Sequence, residues 1–330
     1  MILLCPSNDQ VYTFVVDTVT ARELISLHQN PLMNRTKMMC FWLLLTAITW
    51  STTSFNTATR PPQKTFLHTI VIDPGHGGFD PGTHGLISKE KNVTLAISLK
   101  LGKAIKEAFP DIKIVYTRTT DIMPGNTSDI HEGLRYRAEL ANKSKGDLFI
   151  CIHANSNGHP AGSYEERHLT GYKWAGRGKR RRKVPVYSSK WIKNMTTGAA
   201  VYIWKADRSG SKGDMIENMG DTTAMDMDSP EARIRAQLYE KKYFGNSALF
   251  GTYVSDEFVK SGRHSQGLQQ RDVGIWVLEA TGMPSVLIET GYLTNKEEEK
   301  FLNSKAGQNK IVQNIVTALK KYNASLEDKH

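Results

Sequence analysis

The sequence predicts an α/β fold: a single domain with a twisted, mostly parallel (mixed) sheet flanked by helices and interrupted by two insertions. Three observations point there. From His68 onward, short apolar runs alternate with helical periods, as in a layered βα sheet. The 330 residues are 39% hydrophobic and 23% charged, which excludes a disordered tail, collagen or a coiled coil and suffices to bury a full core. The cysteines, Cys5, Cys40 and Cys151, are too few for a disulfide framework and contain no Cys-x-x-Cys pair, so thiolate zinc ribbons are also excluded.

Residues 1–32 read as an extension upstream of a start at Met33. Arg35 and Lys37 lead into the apolar run Met38 to Trp50, and small polar residues follow to Thr59. A basic lead, a short apolar run and a small-residue exit describe a secretory signal peptide over residues 33–59. The run is shorter than the roughly 20 residues of a spanning helix, so no stable membrane span is expected after cleavage. A buried core helix is the competing reading. Residues 60–67 then form a linker, 68–322 the folded domain and 323–330 a tail.

Within the domain, Thr69 to Asp73 (TIVID) reads as a strand, and Asn92 to Phe109 as a helix with Val93, Ile97, Leu101 and Ile105 on one stripe. A strand at Ile112 to Tyr116, a helix near His131 to Asn142 and strands at Leu148 to Ile152 and Ala199 to Trp204 follow. Helix Asn246 to Lys260 places Phe250, Val254 and Phe258 on one face. Strands Val273 to Leu278 and Ser285 to Glu289, then helix Gln308 to Tyr322, complete the set.

The first insertion covers residues 156–198. Its core, Glu165 to Lys193, holds ten Lys or Arg against two Glu, most of the chain's formal net charge of +10. It reads either as a solvated loop or as an electrostatic contact for an anionic polymer. No nucleic-acid fold motif accompanies the charge, so no nucleic-acid partner is expected. The second insertion, 205–245, is acidic and Met-rich between Asp207 and Asp228, and reads as disordered or a lid.

Four residues carry the candidate chemistry. His76 follows the first strand in Asp73-Pro74-Gly75-His76-Gly77-Gly78, Glu90 lies at the first long helix, and His153 and Glu289 end the strands LFICI and SVLIE. In a mostly parallel sheet, three of them project from the carboxyl edge, where such sheets build their sites. Two His and one carboxylate with an open fourth position make a catalytic zinc set, with Glu289 left as general base. Each has a structural alternative: a His at a strand end can be a satisfied core residue, and Glu90 can simply complement a helix dipole. His84, His159, His168 and His264 read as surface residues.

The blocks IVIDPGHGGFDPGTHG, KEKNVTLAISLKL, VYTRTTD, RAELANKSKGDLFICIHANS and VLEATGMPSVLIETGYLTNKEEEKFL, in this order, resemble the bacterial zinc N-acetylmuramoyl-L-alanine amidases of the amidase_3 family. The resemblance implies the zinc-hydrolase amidase fold, with His76, Glu90 and His153 as zinc ligands and Glu289 as catalytic glutamate. It implies cleavage of the amide between the lactyl group of N-acetylmuramic acid and L-alanine of the peptidoglycan stem. Some members carry an insertion whose helix blocks the cleft until an activator protein withdraws it, making Glu217 a plug candidate here. Arg118 and Arg137 match family positions and read chiefly as helix and loop salt bridges. Asn155 either hydrogen-bonds substrate or shapes a turn, and Cys151 stands where relatives often carry Ser.

The expectation is an exported, periplasmic or extracellular, zinc amidase acting on the anionic wall polymer peptidoglycan in wall turnover or daughter-cell separation. A zinc carboxypeptidase or endopeptidase on wall peptides and a wall-binding protein without catalysis are the alternatives.

Overall fold

The computed structural model describes residues 65–204, 230–271 and 274–327. The upstream extension, the signal peptide, most of the linker and Glu217 lie outside the described residues. The elements run β1 (Thr69–Pro74), α1 (Glu90–Ala108), β2 (Lys113–Tyr116), α2 (Ile130–Lys143), β3 (Leu148–Asn155), β4 (Ser163–Ala175), β5 (Arg182–Lys193) and β6 (Ala199–Trp204). They continue with α3 (Pro230–Lys260), β7 (Ser265–Arg271), α4 (Trp276–Glu279), β8 (Ser285–Tyr292), α5 (Lys296–Asn303) and α6 (Lys305–Glu327).

Six strands form one sheet in the order β2-β1-β3-β8-β6-β7. Every neighbouring pair is parallel except β6 and β8, so the sheet is mixed and mostly parallel, as the sequence predicts. The central strands are apolar on both faces because both faces are covered. Ile70, Ile72, Ile150, Ile152, Val286 and Ile288 share one buried cluster with Leu101 and Ile105 of α1, Phe250 and Phe258 of α3 and Ile315 and Leu319 of α6. Val71, Phe149, Cys151 and Leu287 point the other way, against Ala138 and Ala141 of α2 and Val277 and Leu278 of α4. Among the described residues, no helix is long and apolar enough to cross a membrane.

Several expectations are corrected. Among the described residues of the stretch Val273 to Leu278 the expected strand is not found. The edge strand is β7, and Trp276–Glu279 is a short helix entered through Gly274 at φ 74°, a backbone region that glycine favours. The basic insertion is not a loop but a hairpin: β4 and β5 pair antiparallel apart from the main sheet. Helix α1 starts earlier than expected, at Glu90 itself. The helix start expected where the acidic stretch ends, with Pro230 in its first turn, is where α3 begins, and the helix runs on unbroken to Lys260 instead of starting anew at Asn246. Helix α5 was not anticipated; Asn295 caps it by accepting hydrogen bonds from the Glu297 and Glu298 backbone N–H groups.

Candidate metal centre

The site forms where β1, β3 and β8 end together. Parallel pairing puts His153 opposite Glu289, with Cα atoms about 4.8 Å apart by sheet geometry. Side-chain alternation sends both to the face that carries Cys151 and Leu287. Beyond Pro74 the chain turns sharply, and His76 takes φ 59°, a left-handed conformation that a residue with a β-carbon adopts only when its surroundings enforce it.

Two buried arginines do the enforcing. Arg137 pairs with the Asp73 carboxylate and donates to the carbonyls of Pro74 (2.9 Å) and His76 (2.7 Å). Arg118 donates to the carbonyls of Pro74 (3.1 Å), Gly75 (2.8 Å) and Lys91 (2.7 Å). Asp73 also accepts from the Thr117 hydroxyl and from the Cys151 thiol (3.1 Å). The two guanidinium groups therefore brace the turn that carries His76. The salt-bridge expectation holds for Arg137, whereas Arg118 donates its hydrogen bonds to carbonyl and hydroxyl oxygens.

His76 Nδ1 lies 2.8 Å from Asp80 Oδ2, which leaves Nε2 facing Glu90 Oε2 at 3.2 Å. Glu90 is only 3% exposed, and its carboxylate accepts from the backbone N–H of Thr83 (2.8 Å) and Ala154 (3.0 Å). Its Oε1 also meets His153 Nδ1 at 2.8 Å. The two imidazoles lie edge to face with centroids 4.9 Å apart. One ligand atom from each of His76, Glu90 and His153 lies within 4.8 Å of the others, so the group could hold a metal ion. Backbone space is part of the design: a β-carbon on Gly75 would come within 2.5 Å of the His153 ring, and one on Gly82 (φ +62°) within 2.6 Å of the His76 ring.

Electrostatics divide the two carboxylates. Burial alone would raise Glu90, but hydrogen bonds and charge from His153 and His76 outweigh it and hold Glu90 well below the usual carboxylate range. Burial pushes His76 down, yet Asp80 and Glu90 more than compensate and carry it to about 9. Glu289 goes the other way: burial and the Glu90 charge push it up to about 8, and its Oε2 has no hydrogen-bond partner among the described residues. A carboxyl of that kind can exchange a proton near neutral pH.

The structure thus brings His76, Glu90, His153 and Glu289 to one sheet edge. Asn155 sits beside them, its Oδ1 accepting from the Ser156 N–H (2.8 Å), which is a turn-shaping contact. His84, His159, His168 and His264 are exposed, as expected. Two contributors were missed. Asp80, four residues after His76, could have been suspected from its place in the glycine-rich run. Glu299, 1% exposed, accepts from the backbone N–H groups of Leu86, Ile87 and Ser88 at 2.8–2.9 Å and pins the loop leading to Glu90. Nothing in KEEEKF sets it apart from its neighbours.

Fold and site together define an α/β protein with a two-histidine, one-carboxylate centre at the carboxyl edge of its sheet. The family model for N-acetylmuramoyl-L-alanine amidase (Amidase_3) matches residues 70–321, and the chain belongs to that family. A Haemophilus influenzae protein named "Probable N-acetylmuramoyl-L-alanine amidase AmiB" is 30% identical over 257 residues, which are 76% of this chain and 51% of that protein. N-acetylmuramoyl-L-alanine amidase AmiC of Escherichia coli O6:H1 is 28% identical over 261 residues, 77% of this chain and 52% of the relative. The chain spans about half the length of these curated relatives. The crystal structure of N-acetylmuramoyl-L-alanine amidase from Clostridium difficile 630 superposes with a TM-score of 0.49 at 24% identity, covering 77% of this chain and 96% of that one.

Proposed function

We propose that this protein is a zinc-dependent N-acetylmuramoyl-L-alanine amidase that hydrolyses the amide between the lactyl group of N-acetylmuramic acid and L-alanine in peptidoglycan. The observation that carries this reading is the convergence of His76, Glu90 and His153 beside a buried, unpartnered Glu289 carboxyl.

The donor set fits zinc: two imidazoles and a carboxylate, with the only described cysteine buried elsewhere. The 3.2 Å between His76 Nε2 and Glu90 Oε2 is close to the edge of about 3.3 Å expected between two ligands of a tetrahedral ion with bonds of about 2.0–2.1 Å. When bound, zinc would supply Lewis-acid polarisation of the amide carbonyl and a water of lowered pKa. In this reading Asp80 fixes the His76 ring so that Nε2 points inward, as metal-bound histidines usually require. Glu90 is held ionised by its partners and needs no proton loss to serve as a ligand. Glu289, protonated near neutral pH in the metal-free site, would be driven towards its carboxylate by the bound cation and could then take a proton from the attacking water and return it to the departing L-alanine nitrogen.

Residues 33–59 would export the protein to the periplasm or cell exterior, which N-terminal sequencing of the exported form would check. The same reading has residues 205–245, with Glu217 in the cleft, respond to an activator protein. Deleting that stretch should then raise hydrolysis.

Digestion of purified sacculi tests the reaction. An amidase frees new L-alanine N-termini, a carboxypeptidase would not, and a wall-binding protein would release nothing. Glu289→Ala should retain metal and lose turnover. Chelation should abolish activity and added zinc restore it, and full activity in Glu289→Ala would remove that residue from the mechanism.

A further inference from the structure

The β4–β5 hairpin is peculiar in what it leaves in water. Its strands pair with each other and not with the six-stranded sheet. Ser163 faces Lys193 at the root and Ala175 faces Arg182 near the tip, with a register shift between Leu169 and Gly171. Following the pairs across that shift puts Leu169, Tyr172 and Trp174 of β4 on the same face as Tyr187 and Trp191 of β5. All five are exposed, by 50%, 65%, 56%, 54% and 71% respectively. The opposite face presents Tyr164, Val184, Val186 and Ile192, which are half-buried. One face is therefore an aromatic stripe, and 13 residues of strand make it about 40 Å long.

The stripe is bordered by cations. The guanidinium of Arg181 and the ammonium of Lys183 lie 5.2 and 5.6 Å from the centre of the Trp174 ring. Arg177, Lys179 and Arg180 are exposed at the tip. With ten Lys or Arg against two Glu, residues 165–193 carry a net charge of +8 out of +10 for the whole chain.

The root is fixed beside the candidate centre. Asn157 and Asn194 exchange side-chain hydrogen bonds of 2.7 and 2.8 Å, and the Gly162 N–H donates to the Thr294 carbonyl at 2.9 Å. Asn157 is four residues beyond His153, and Thr294 is five beyond Glu289.

We propose that the aromatic face of the β4–β5 hairpin, with its cationic border, binds a peptidoglycan glycan strand and its stem-peptide carboxylates. The inference rests on the peptidoglycan reading above. Aromatic faces offer flat apolar platforms to the C–H faces of sugar rings, and the lysines and arginines complement the carboxylates. A stripe extended along the ribbon suits a linear polymer. A bilayer is a poorer fit, because the tip that would have to enter it is cationic and without large apolar side chains.

The test is co-sedimentation with purified sacculi, stripped of secondary polymers, in the Glu289→Ala background so that nothing is digested. Trp174→Ser with Tyr187→Ser and Trp191→Ser forms one variant, and Arg180→Gln with Arg181→Gln and Lys183→Gln a second. Each should bind sacculi at least tenfold more weakly while keeping the parent's melting temperature, and amidating the free carboxylates of the sacculi should weaken the parent likewise. Undiminished binding in both variants would overturn the proposal, as would tighter binding of the parent to anionic vesicles or single-stranded DNA than to sacculi. Because sedimentation needs no turnover, a protein with Glu289 intact that fails to hydrolyse muramoyl-peptides would count against the proposed reaction, while loss of binding in the variants would still support the surface.

Discussion

Glu289→Gln probes the site's electrostatics without relying on turnover. In the folded protein without metal, burial and the Glu90 charge push the Glu289 carboxyl from 4.5 to about 8. The folded state thus keeps a proton that the unfolded chain releases above 4.5, and this group makes the wild type lose stability as pH rises from about 4.5 to 8. At pH 7 the unfolded chain is 7 − 4.5 = 2.5 units above its midpoint while the folded carboxyl is still mostly protonated. At about 1.4 kcal/mol per unit, that costs the wild type about 3 kcal/mol. Glutamine never ionises, so the variant escapes the loss. Unfolding of both proteins in chelator, across pH 4.5 to 8.5, should give a stability difference that starts near its minimum and grows by about 3 kcal/mol by pH 7. It should level off above pH 8. For a domain of this size the change at pH 7 corresponds to a melting-temperature difference of about 6–12 °C. The His76 titration is common to both proteins and cancels to first order. Adding a divalent metal should shrink the difference, because a cation beside Glu289 favours its carboxylate. A difference that stays flat across the window would refute the reasoning.

Asp80→Asn removes the carboxylate that orients His76 and should weaken metal binding about 10–100-fold in a competition titration with a chelating dye, with the fold retained. Arg137→Met leaves Asp73 buried without its cation and should cost about 3–5 kcal/mol in urea unfolding. Glu299→Ala strips the acceptor from three backbone N–H groups; we expect a loss of about 2–4 kcal/mol and faster hydrogen exchange at Leu86, Ile87 and Ser88. His153→Ala should lose metal outright in elemental analysis of the purified protein, whereas His168→Ala, exposed on the hairpin, should not.

The central strands were legible because burial on both faces writes them as unbroken apolar runs such as LFICI and SVLIE, and the residues ending those runs are the ones that converge. Strand β7 was not legible. SQGLQQR lies at the sheet edge, where little apolar surface is needed, and the apolar run just after it belongs to α4. The hairpin escaped for a different reason: the register shift at Leu169 and Gly171 breaks strand alternation, and the charge density resembles that of a solvated loop. The partition of Glu90 and Glu289 into ionised and protonated forms was out of reach as well. It follows from which N–H groups and imidazoles surround each carboxylate, and those partners come from distant parts of the chain.

Cys151 turns the middle of the sheet into a reporter of its own integrity. It is 3% exposed between Asp73 and Leu287, and burial together with the Asp73 charge pushes its thiol well above the ordinary range. Alkylating reagents need an accessible thiolate, so modification of this residue must wait until the strands separate. Peptide mapping after timed exposure to iodoacetamide would distinguish it from Cys5 and Cys40. The labelling rate would then clock how often the strands beneath the centre part, and whether metal slows that breathing.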